Sequence, residues 1–208
     1  MRSEVLLVAC PDRPPRIECR GALAARRTSP DTVHLVSAAA SPLGGDVTRM
    51  RIVVEAGARL RLRSVAASVA LPGVSTAESH GCWLIEVAGE LDIDLQPTVV
   101  AARARHHSQT RLQLTQTSTV RLRERVQIGR TGERQGFWVN SLHADVDGSP
   151  LLRHRVELGA GSVGCDELAS PRACVSEFHY PDSAAETLGV RLELASGGCL
   201  ATWQGERL

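Results

Sequence analysis

Residues 59–63 read Arg-Leu-Arg-Leu-Arg, and residues 90–95 read Glu-Leu-Asp-Ile-Asp-Leu. Strict period-two alternation puts the apolar side chains on one face of an extended segment and the charges on the other, so both stretches are half-buried strands. The same grammar returns in Arg111-Leu112-Gln113-Leu114-Thr115, in Val120-Arg121-Leu122-Arg123, from Leu152 to Leu158 and from Val190 to Leu194. Small-residue turns separate the strands, as in Glu55-Ala56-Gly57-Ala58 and Ala88-Gly89. This recurrence predicts an all-β chain, a stacked or superhelical sheet or a sandwich-like scaffold, rather than βαβ units. One or two short helices are expected, at Val163 to Leu168 and Ala184 to Leu188.

The stretch Ser41-Pro42-Leu43-Gly44-Gly45-Asp46 is the sharpest corner. Pro42 fixes φ and the glycine pair permits positive φ, so the backbone reverses and delivers Asp46 to the mouth of the next strand. Val33 to Val36 leads in and Met50 to Val54 leads out. Upstream, a strand ending near Cys10 and a second over Ile17 to Leu23 precede a turn at Thr28 to Asp31. The 208 residues suit one domain with a sizeable core. Residues 1–16 are its least determined part and 201–208 a short tail.

Every basic residue is Arg, which removes Schiff-base and P-loop lysine chemistry. A net charge of +1 argues against a nucleic-acid or anionic-membrane partner, and 3% aromatic residues provide no stacking platform for bases. The six cysteines contain no C-x-x-C pair. Leu7-Val8-Ala9-Cys10 resembles a lipoprotein cleavage box, but the apolar run before it, about five residues, falls short of the roughly 7–15 a signal core needs. No run approaches the roughly 20 apolar residues of a membrane span. The expectation is a cytoplasmic protein with reduced thiols.

Several motifs carry two readings. Gly159-Ala160-Gly161-Ser162-Val163-Gly164 fits G-x-G-x-x-G after a strand, which would make the chain a small nucleotide-binding enzyme. The strand is charged on one face and Pro171 stops a following helix early, which favours a small-residue turn. Ser162 is no nucleophile elbow, because Ala160 stands where that motif has Gly. Glu90, Asp92 and Asp94 share one strand face about 6–7 Å apart, either as guides for a hydrated cation or as partners of Arg59, Arg61 and Arg63 on a neighbouring strand. His106 and His107 point to opposite faces of any strand. Cys165, Asp166 and Glu167 with Cys174 and His179 offer metal-ligand types without the spacing of a closed site.

A resemblance joins these pieces. The run Val33 to Asp46 followed by Val53-Val54-Glu55-Ala56-Gly57-Ala58-Arg59-Leu60 resembles the urease accessory protein UreD (UreH) family. Val65-Ala66-Ala67-Ser68, Leu91 to Pro97, Ile128-Gly129-Arg130-Thr131-Gly132-Glu133 and Asp147 to Leu152 follow in the family's order, over about residues 17 to 200. Val69-Ala70-Leu71 stands where the family has Lys-Tyr-Arg, and the chain stops at Leu208 without the family's helical extension. The resemblance implies no enzyme and no resident cofactor. It implies a maturation chaperone that joins the F-type and G-type accessory proteins to apo-urease, in an assembly that can be dimeric. Nickel would be in transit and GTP used by the G-type partner. Asp46 and Glu133 are then the first transit candidates, with Glu90, Asp92 and Asp94 second. The alternative for the first two is local: Asp46 caps its own turn and Glu133 pairs with Arg130 or Arg134. A structural β-module with another partner is the third reading.

Overall fold

Seventeen strands account for the alternation in the computed structural model, which describes residues 1–163, 170–182 and 188–208. The chain opens with β1 (Arg2–Ala9), β2 (Arg16–Arg20), β3 (Leu23–Ser29) and β4 (Thr32–Ser37). Its middle comprises β5 (Val47–Val54), β6 (Arg59–Ser64), β7 (Ser68–Ala70), β8 (Glu78–Val87), β9 (Glu90–Asp94), β10 (Thr98–Val100), β11 (Arg105–Leu114), β12 (Thr119–Ile128) and β13 (Phe137–Val146). It closes with β14 (Ser149–Gly159), β15 (Ala173–Tyr180), β16 (Val190–Glu193) and β17 (Cys199–Gly205). No helix occurs among the described residues. Both expected short helices fall on residues outside them, apart from Val163 and Leu188, whose backbone is not helical.

The strands form a stack of two sheets, ordered β14-β13-β11-β8-β5-β1-β2 and β16-β17-β15-β12-β9-β6-β4-β3, with β7 and β10 paired beside the second. Between β5 and β13 the chain crosses from one sheet to the other at nearly every corner. Its successive passes pair in parallel: β1, β5, β8, β11 and β13 on one side, β4, β6, β9 and β12 on the other. The result is a β-solenoid, with antiparallel strands β2, β14, β3 and β15 ending the stack. Its ladder continues through the corners, where Glu90 N–H reaches Ala58 O at 2.9 Å and Thr119 N–H reaches Gly89 O at 2.9 Å. Each turn thus satisfies its backbone groups on the turn before it.

Stacking in register explains the alternation. Leu7, Ile52, Ile85, Leu112 and Ala144 stand opposite one another across one sheet, and Val33, Leu62, Ile93, Leu122 and Phe178 across the other. Their side chains meet in the lumen, and the intervening arginines and carboxylates face water. The single strand expected over 17–23 is instead β2 and β3, because Gly21 turns the chain at φ 87°, where a Cβ would lie 2.5 Å from Arg2 O.

The lumen is not apolar throughout. A larger cluster includes Leu7, Ile52, Leu62, Ile93, Leu112, Leu142 and Phe178. A smaller one includes Val100, Val126, Ile128, Trp138, Val156, Leu158 and Cys174. What separates them is the candidate site.

Candidate functional site

Carrying the period of two along β12 gives the inward series Val120, Leu122, Glu124, Val126, Ile128, in which a carboxylate takes a core position. Three other strands make the same exception: Ser176, opposite Glu124, falls between Cys174 and Phe178 on β15, and in the facing sheet Asn140 falls between Trp138 and Leu142 on β13 and His154, opposite Leu142, between Leu152 and Val156 on β14. Each interruption lies where one apolar cluster ends and the other begins. Together they form a polar seam across the interior.

The seam separates two cavities that share Leu122, Glu124, Trp138 and Asn140 as walls. The larger, of about 270 Å³, lies between the sheets. Exposed Ser37, Ala66, Ala67 and Gln96 line its mouth, at the corners where β6 and β9 give way to β7 and β10. Along its wall runs a row of small or polar residues in register, Thr48, Gly81, Ser108 and Asn140. The smaller cavity, of about 20 Å³, lies beyond Glu124 and is lined by His154 and Ser176.

Across the shared wall the Asn140 side-chain amide donates to Glu124 Oε2 at 2.6 Å, joining the two sheets. Asn140 Oδ1 is buried without a partner. Burial pushes the Glu124 carboxyl up to about 7, against the lowering effect of that hydrogen bond. His106 lies on the same wall with Nδ1 2.9 Å from Ser79 Oγ, and burial, with His107 and His80 nearby, pulls it down to about 4. His154 is likewise held below its ordinary value by burial. Burial, with the Glu124 charge adding to it, pushes the Cys174 thiol up. At neutral pH the seam therefore holds neutral imidazoles and one carboxyl near its midpoint of titration.

The residues singled out from sequence lie elsewhere. Asp46 is buried in its own corner, taking the Leu43 amide at 2.9 Å, the Met1 amine at 2.6 Å and the Ser41 hydroxyl at 3.0 Å. Burial alone would raise its pKa, but those donors hold it below the usual carboxylate range. Glu133 clips the corner after β12 to the one after β10. Arg130, the Ala102 amide at 2.9 Å and the Arg130 amide at 3.1 Å bring its pKa down to about 2. Glu90 pairs with Arg59 at 2.6 Å, Asp92 with Arg63 and Arg121, and Asp94 with Arg125 at 2.7 Å. These acids and arginines alternate strand by strand on the outer face, the arrangement that lowers charge repulsion across a ladder. No three His, Cys, Asp or Glu side chains among the described residues are grouped to hold a metal ion.

His106 and His107 do point to opposite faces, His106 into the cavity and His107 outward beside His80, with 5.2 Å between ring centroids. Cys165, Asp166 and Glu167 lie outside the described residues, and His179 bonds Glu177 at 2.9 Å. The glycine-rich loop follows β14, an antiparallel strand at a sheet edge, and its Gly164 is outside the described residues. A dinucleotide fold needs a parallel strand entering a helix at that point. Glu124, Asn140, His154 and Ser176 escaped the sequence reading. The alternation was followed only to Arg123, one residue short of the core carboxylate.

Comparison with known proteins yields one consistent family. The family model described as UreD urease accessory protein matches residues 12–181. Urease accessory protein UreD 1 of Saccharopolyspora erythraea is 40% identical over 194 residues, covering 88% of this chain and 75% of that protein. Urease accessory protein UreD of Frankia alni is 40% identical over 200 residues, covering 82% of this chain and 67% of that protein. The Frankia casuarinae protein of that name is 38% identical over 193 residues, covering 83% and 60%. The four seam residues fall inside the span matched by the family model.

Proposed function

Because the chain belongs to the UreD family of urease accessory proteins, we propose that it acts in urease maturation as a non-catalytic scaffold. In this reading it joins the F-type and G-type accessory proteins to apo-urease, in the cytoplasm, and helps deliver nickel to the urease active site. The nickel is cargo, and GTP is hydrolysed by the G-type partner.

The observation that supports delivery, beyond family membership, is the polar seam inside an otherwise apolar lumen. A conduit for a divalent ion needs weak oxygen sites that accept the ion and then release it, whereas thiolate sets retain it. Thr48, Ser108, Asn140 and Glu124 supply hydroxyl, amide and carboxylate oxygens along one cavity. The carboxylates at 46, 133, 90, 92 and 94 keep a place in this reading only as secondary contacts. To touch the ion, Asp46 would have to release three hydrogen-bond donors and Glu133 four.

Co-expression of this chain with the urease subunits and the accessory proteins tests the scaffold role. The chain is expected to co-elute with apo-urease and the F-type and G-type proteins on size exclusion. Elution of each component alone would remove the role.

A further inference from the structure

The two lumen cavities meet at one hydrogen bond. Leu122 and Trp138 form the apolar part of their common wall, and the Asn140 amide reaching Glu124 closes the remainder from sheet to sheet. The closure is incomplete in its hydrogen bonding. Asn140 Oδ1 is buried with no donor, a deficit that native structures keep where a water, an ion or a role accounts for it. Glu124 is the one acid among the described residues lining either cavity, and the two arginines of the larger one, Arg123 and Arg125, have Asp94 as their partner on the outer face.

We propose that the Glu124–Asn140 hydrogen bond is a latch that closes the lumen between the two cavities and opens when a divalent cation displaces the amide from the carboxylate. This inference rests on the delivery reading above and adds how passage is regulated. A cation in the larger cavity competes for the Glu124 carboxylate from one sheet, and the carboxamide it displaces from the other sheet frees its buried, unpartnered oxygen to turn to the ion. Both are hard oxygen donors of the kind a hydrated divalent ion accepts. Once the carboxylate turns to the ion, Asn140 Nδ2–H loses its acceptor, the wall between Leu122 and Trp138 parts, and the His154 and Ser176 side of the lumen becomes reachable. With the ion gone the bond reforms. The latch therefore admits cargo that competes for the carboxylate and holds the lumen shut otherwise.

Glu124→Gln separates this role from a structural one. The amide keeps the size of the side chain and its capacity to bond Asn140, but carries no charge for the ion. Asn140→Leu fills the same space with an apolar side chain and removes the unpartnered oxygen. The test is the initial rate of urease activation by NiCl2 in the reconstituted assembly of apo-urease, the accessory proteins and this chain. Melting of each variant is followed alongside. Glu124→Gln is expected to slow activation by about tenfold, equivalent to about 1.4 kcal/mol of barrier, while melting no lower than the unsubstituted chain, and Asn140→Leu, which has no amide to displace, is expected to activate no slower than the unsubstituted chain. Activation at the unsubstituted rate by folded Glu124→Gln, or a tenfold loss in folded Asn140→Leu, overturns the latch. An assembly lacking the chain is the control. If it activates equally fast, the delivery reading fails, whereas dependence on the chain combined with a normal rate in Glu124→Gln removes the latch alone.

Discussion

Glu124→Gln is expected to raise the melting temperature above pH 7 and to uncover a stability that climbs with pH between about 4 and 6.5. The Glu124 carboxyl is displaced from 4.5 to about 7 by burial. A folded-state pKa raised in this way gives stability that is complete below pH 4.5 and is lost as pH rises through about 7, because the unfolded chain ionises first. The displacement corresponds to a loss on the order of 3 kcal/mol. His106 acts in the opposite sense. Its pKa, lowered from 6.5 to about 4, gives stability that is complete above pH 6.5 and lost as pH falls through about 4, again on the order of 3 kcal/mol.

Between pH 4.5 and 6.5 the two slopes oppose each other, so the unsubstituted chain is expected to show a profile less steep than that of either variant, with His107 and His154, both lowered by burial, adding to the His106 side. Glu124→Gln leaves the His106 slope, and His106→Gln leaves the Glu124 slope, which falls from about pH 4.5 to 7. The groups facing Glu124 are Asn140 on β13, His154 on β14 and Cys174 and Ser176 on β15. None of the four is charged when His154 is neutral. Chemical denaturation at half-unit steps from pH 4.5 to 7.5 measures all three profiles. Three parallel profiles would show that neither group titrates from inside the fold.

Gly44→Ala is expected to lose roughly 3 kcal/mol or more, at or beyond the upper end of the usual overpacking range of about 1–3 kcal/mol, because the atoms it meets cannot move. A Cβ on Gly44 would lie 1.8 Å from Thr76 O and 2.4 Å from Gly73 N. Both are backbone atoms, fixed because Gly73 N–H bonds Thr76 O at 2.9 Å and Gly44 N–H bonds Leu71 O at 2.9 Å. Relief requires separating the two corners, which also breaks the Leu43–Leu71 bridge next to Ser41 and Pro42 of the larger cavity's lining. Gly132→Ala is the matched control. It has φ 81° with no atom near its would-be Cβ, so only the left-handed backbone penalty of about 1–2 kcal/mol is expected. Equal losses in the two variants would mean that the corners do not pack as described.

Faces were legible in the sequence, and so was one pairing, the arginines of 59–63 beside the acids of 90–94, but not the stacking as a whole. Arg59 to Arg63 declares its buried leucines because charge and apolar residue alternate without exception, and the same holds for Glu90 to Asp94. Alternation alone says nothing about which strand lies alongside, so the parallel sense of β6 on β9 and the stacking of β9 on β12 had to come from the structure. β7 and β10 contain three residues each, too few to show a period. The seam was hidden for a different reason. Phe137, Trp138 and Val139 are apolar in succession, so β13 declares no face and Asn140 looks like a surface residue. Only Glu124 broke a readable pattern, and its meaning depends on Asn140, His154 and Ser176 arriving from three other strands. The turns at Gly44 to Asp46 and Gly129 to Glu133 carried the family resemblance because they are the corners where backbone approach and carboxylate clips leave least freedom.

The most direct test of a role in maturation is the nickel content of urease purified after co-expression of its subunits and accessory proteins with and without this chain. Nickel-loaded, active urease with the chain and nickel-poor, inactive urease without it is the expected result. Fully loaded urease in its absence would contradict it.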